Sequence, residues 1–122
     1  MNLPYTILKI KDREYRLKIT AANAIELEKK LGKSLVDGMA DFDKVGTLTA
    51  YLSASLKAYE NIAGEVTELY DDYINEGGSM SQLSDVLVEV LIVSGFLQRP
   101  QIDALRAQMK IMGERLTKMQ EK

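Results

Sequence analysis

Apolar and polar side chains alternate along residues 5–19, YTILKIKDREYRLKI, where Tyr15, Leu17 and Ile19 are separated by Arg16 and Lys18. A period of two is the mark of a strand with one wet face, and the segment predicts a β-hairpin turning at Asp12 and Arg13. A lone two-stranded hairpin is marginal in water. This one must therefore lie on the helices that follow or pair its edge with another chain.

Beyond Thr20 the period changes to that of a helix. Ala24, Leu27 and Leu31 share one face, Thr20 is the N-cap and Gly32 the terminator. Ser34 opens a short segment of one or two helical turns. A second clear helix starts at Thr47, with Leu48, Leu52, Leu56 and Tyr59 at helical spacing, and is broken by Gly64. Val66, Leu69, Tyr70, Tyr73 and Ile74 form the apolar stripe of a third, opposite Asp71, Asp72 and Glu76, and Gly77-Gly78 ends it. Ser79 and Gln82 have capping-box spacing for a helix over Met80–Ser94. Its near-continuous apolar run, Val86–Val93, predicts the buried centre of the domain.

Gly95 and Pro100 mark a break. After it Ile102, Leu105, Met109, Met112, Leu116 and Met119 recur at alternating spacings of three and four, an a/d heptad seam on a final amphipathic helix. Two uses of the seam stay open: an intramolecular groove, or an adaptable thioether-rich surface for a helical partner or a second copy. The expected class is α+β and predominantly helical. A hairpin leads into about five helices, with residues 1–96 as one compact domain and 97–122 as the long C-terminal helix.

Composition narrows the chemistry. With 122 residues and 46% hydrophobic side chains there is material for one core. The chain has no His and no Cys, so imidazole bases, thiol nucleophiles and the usual soft metal ligands are missing. No phosphate-cradling glycine loop is present. Asp71 and Asp72, adjacent on a helix, diverge by about 100° and do not converge on one substrate. The Asp41-Phe42-Asp43 cluster lacks the other ligands of a calcium loop. The expectation is a protein that is not an enzyme and needs no cofactor or metal.

Net charge is −2, unevenly spread. Residues 1–33 carry eight Lys/Arg against four Asp/Glu, residues 34–96 two against eleven, and residues 97–122 six against three. Such blocks either meet within one fold or dock one copy on the next. Lys9, Lys11, Arg13, Arg16 and Lys18 would give a nucleic-acid-binding module one basic hairpin surface, but the pI of about 5.2 argues against it. The first residues lack the apolar core of a signal peptide, and the most apolar run is far shorter than a membrane span. A soluble cytoplasmic protein is expected.

Three stretches, taken in order after the hairpin's YRLKITAANAIELE, carry a resemblance: ELEKKLGKSLVDG (26–38), ELYDDYINEGGS (68–79) and VLVEVLIVSGF (86–96). Over about residues 5–96 the chain resembles the tail assembly chaperones of long-tailed phages or prophages of Gram-positive bacteria. The resemblance implies a cytoplasmic factor that binds the tape measure protein in many copies, helps recruit the tail tube protein and is absent from the mature virion; the hairpin edge and the opposed charge blocks add the expectation of a homo-oligomer. It implies no catalytic residues. Leu27, Leu31, Gly32, Tyr70, Tyr73 and Gly77, which fall in the matched stretches, read as core and capping positions. The competing expectations are a structural, oligomerising component of a phage particle and a small regulatory nucleic-acid-binding module.

Overall fold

The hairpin forms one residue earlier than its polar residues suggest. In the computed structural model, which describes residues 4–60 and 65–97, β1 (Thr6–Ile10) pairs antiparallel with β2 (Arg13–Leu17), and Ile10 faces Arg13. Only Lys11 and Asp12 remain for the turn, so Arg13 opens the second strand. Lys11 takes a left-handed φ of 56°, the sign that a type II′ turn asks of its first central residue and normally gives to Gly. A non-glycine residue there costs about 1 kcal/mol. The compensation is tertiary. The Lys11 backbone N–H donates to the Glu76 carboxylate, and its ammonium lies 3.4 Å from Asp72.

Five helices follow among the described residues: α1 (Ala21–Leu31), α2 (Leu35–Gly38), α3 (Val45–Leu56), α4 (Val66–Asn75) and α5 (Met80–Val93), with a 3-10 turn at Met39–Asp41. The fold is α+β and mostly helical. Its caps are those the sequence marks. Thr20 accepts the Asn23 N–H, Ser34 accepts that of Asp37, and Ser79 and Gln82 bond reciprocally at 3.2 Å. Each satisfies a donor that the first helical turn leaves orphaned. α4 and α5 both end in a Schellman motif: Gly78 N–H reaches Tyr73 O, and Phe96 N–H reaches Leu91 O. The reversal in each passes through a glycine at positive φ, Gly77 at 99° and Gly95 at 89°.

α3 departs from expectation at both ends. It starts at Val45 with no side-chain cap and ends at Leu56, short of Gly64. Residues 61–64 lie outside the described part.

The centre of the core also moves. Leu48, Thr49, Tyr51, Leu52, Ala54, Ser55 and Leu56 of α3 are all buried, and α3 touches α1, α4, α5 and β2. α5 buries Leu83, Leu87, Val88, Val90 and Leu91, but Val86, Ile92 and Val93 are only half-buried. The apolar run in α5 therefore supplies one wall of the core, and α3 is its hub. Small side chains at Ala54 and Ser55 fit α3 for that position, since several elements can close on it at once. Two bonds fix the chain where it leaves β2: Lys18 N–H to Ser55 O at 2.9 Å, and Ile19 N–H to Ser94 Oγ at 3.0 Å. Leu8, Ile10, Tyr15 and Leu17 seal the hairpin's inner face against the helices, while Ile7, Lys9, Glu14 and Arg16 stay outside. Among the described residues no helix is long and apolar enough to cross a membrane.

Candidate interaction surface

The opposed charge blocks meet inside the fold. Lys11 with Asp72, Arg16 with Glu60 at 3.5 Å and Lys33 with Asp41 at 2.9 Å each join the basic first third to the acidic middle. The Lys33 ammonium, hydrogen-bonded to Asp41, is held above its ordinary range, and Asp41 is held below its own by Lys33 and then Lys44. The Glu60 side chain is only 7% exposed, whereas Lys11–Asp72 and Lys33–Asp41 lie at the surface and are weakened by solvent screening. They set the register of loops on helices more than they stabilise the whole.

The five hairpin cations do not form one basic surface. Lys9 and Arg16 are on the outer face, Lys9 opposite Glu14 and Arg16 opposite Ile7. Lys11 faces α4 from the turn. Arg13 lies over the Tyr15 ring, 4.7 Å from its centroid. Lys18 is half-buried. The hairpin cations are thus divided among the outer face, the turn and the half-buried stretch just past β2.

What the outer face does present is a mixed apolar and aromatic patch. Ile7 is 43% exposed and Tyr59, past the end of α3, is 38% exposed. Tyr5 meets Tyr59 edge-to-face at 5.4 Å. The Arg16 guanidinium sits 5.2 Å above the Tyr59 ring and donates to the Tyr59 carbonyl at 3.2 Å. Tyr and Arg are the residue types that concentrate binding energy at interfaces. Sequence reading did not assemble this cluster. The available signal was Ile7, which stands out of phase with Leu8 and Ile10 and so must point away from the core.

Among the described residues the other exposed large apolar side chains, Ile25, Val36 and Val45, are on helices or at a helix start. A groove of about 50 Å³ between α1 and α3 is lined by Leu27, Ala50, Ser53 and Ala54 and bridged by Lys57 and Glu26 at 3.3 Å. Such a space holds a water molecule or two and not an organic ligand.

The seam residues Ile102, Leu105, Met109, Met112, Leu116 and Met119 lie outside the described residues. Among the described residues no acidic side chains gather as a metal-holding group, and no buried side-chain polar atom lacks a partner. The chemistry this surface offers is contact: backbone edges, aromatic faces and paired charges. Comparison with protein-family models, with curated proteins and with solved structures gave no match.

Proposed function

We propose that this protein is a phage tail assembly chaperone. It binds the long, helical tape measure protein in multiple copies, keeps it soluble in the bacterial host cytoplasm, helps recruit tail tube subunits, and is left out of the mature virion. The observation that carries the reading is the order of the three stretches at 26–38, 68–79 and 86–96 behind an N-terminal hairpin. The first two stretches span the α1–α2 and α4–α5 corners, and the third is the second half of α5 with its terminator.

Physical chemistry supports the same role. A tape measure protein awaiting its tube exposes long apolar stripes, which aggregate. A small protein that covers them in repeated copies multiplies weak contacts by avidity. The seam from Ile102 to Met119 is the proposed contact. Replacing Met109→Asp together with Met112→Asp is expected to leave the thermal transition in place and abolish self-association through the seam or tape measure binding. Unfolding of the double variant would instead assign the seam to the core. Mass spectrometry of purified virions separates a chaperone from a structural component: a chaperone is absent, and a stoichiometric signal overturns the proposal.

A further inference from the structure

We infer that the open edge of β1 pairs with the same edge of a second copy, giving a four-stranded intermolecular sheet about a two-fold axis. This rests on the hairpin alone and not on the proposed function. A two-residue turn makes Ile10 and Arg13 a hydrogen-bonded pair, so the backbone groups of Leu8 and Thr6 also point into the ladder. Those of Ile7 and Lys9 point out. Among the described residues nothing bonds to them. On the β2 side the backbone is engaged just past the strand, where Lys18 N–H is bonded to Ser55 O.

An exposed strand edge accepts an extended backbone, and a second copy carries one of the same length already formed. Strand β1 runs from Thr6 to Ile10, so its midpoint is Leu8. Only an antiparallel register centred on Leu8 overlaps the whole strand. It also sets Ile7 opposite Lys9 of the second copy and aligns the outward donors and acceptors of both residues. Each outer row then reads Glu14, Lys9, and the second copy's Ile7 and Arg16. No like charges stand directly opposite one another, and Ile7 is covered by the aliphatic stem of the lysine. Moving the centre to Lys9 would set two lysines face to face. Moving it to Ile7 would draw in Tyr5, which lies before the strand and is stacked on Tyr59.

The contact is small, of the weak and transient class, and is best read at about 0.1–1 mM protein. The chain has no cysteine, so introduced ones report cleanly. Facing Cα atoms in a hydrogen-bonded pair are about 5.5 Å apart, within disulfide reach. Chains carrying Ile7→Cys and Lys9→Cys, distinguished by mass, are mixed under mild oxidation. The mixed disulfide is expected to form about tenfold faster than either homodisulfide or a Val36→Cys with Val45→Cys control. Equal rates for all pairs overturn the inference. Lys9→Pro removes only an outward N–H and spares the ladder. In sedimentation velocity it should abolish the dimer with the far-UV spectrum unchanged, and a dimer that persists contradicts the pairing.

Discussion

Gly38→Ala offers a test in which local and tertiary arguments give opposite signs. Gly38 ends α2 with φ −64° and ψ −21°, ordinary helical values. On propensity alone, alanine in place of a helical glycine stabilises by about 1 kcal/mol. The packing says otherwise. A β-carbon here would overlap the Tyr51 hydroxyl oxygen and stand 3.0 Å from Leu31 Cδ1 and 3.3 Å from Tyr51 Cζ. Tyr51 has little freedom to move. It is fully buried, it donates to the Leu35 carbonyl at 2.6 Å, and its ring meets Phe42 edge-to-face at 4.8 Å. Overpacking costs about 1–3 kcal/mol, and a carbonyl deprived of its partner a further 1–3 kcal/mol or so. Against a gain of about 1 kcal/mol, the net is a loss of roughly 1–5 kcal/mol. Urea denaturation of the four chains of a double-mutant cycle with Tyr51→Phe measures it. Removing the hydroxyl removes the overlap, so Gly38→Ala should cost at least about 1 kcal/mol less in the phenylalanine background. A neutral or stabilising Gly38→Ala, or additive behaviour across the cycle, would show that Tyr51 yields to the added methyl.

Three further outcomes are expected. Burial, with Asp41 and Glu28 nearby, pushes the Tyr51 hydroxyl well above its ordinary value of 10.0. A raised acid favours the neutral form in the folded state, so this contribution is complete below about pH 10 and is lost as pH rises toward the folded value. Unfolding free energy should decline above pH 10, and Tyr51→Phe, less stable at pH 7, should flatten that decline. Ser79→Ala deletes the capping box of α5 and should cost about 1 kcal/mol in chemical denaturation. Ser79→Asp, an equally good cap, should lose less than half of that. Glu76→Ala should destabilise more than Asp72→Ala in the same assay: Glu76 accepts a backbone N–H at a turn residue with positive φ, whereas Asp72 makes only an exposed ion pair.

Much of the helical scaffold was legible because caps and terminators are local. Thr20, Gly32, Ser34, Ser79, Gln82 and Gly77 act within four residues of themselves, and the sequence places them where the structure does. The turn at Lys11–Asp12 was not legible, since Glu76 and Asp72 fix it from far along the chain. Nor was the start of α3, which has no side-chain cap. Hydropathy pointed to α5 as the centre because it scores apolar content. It does not score contact geometry, which favours the smaller residues of α3. The hairpin patch required knowing that Tyr59 folds back on Arg16, a contact across 43 residues. The charge blocks were visible, but whether they meet within one chain is a question of topology.

The proposed function is chaperoning of a long helical partner. The most direct test is co-expression of this protein with a phage tape measure protein, reading the fraction of the latter in the soluble extract. The partner is expected to move from the pellet to the supernatant and to purify with several copies of this chain bound. A partner that stays insoluble, or becomes soluble without carrying this chain, would contradict it.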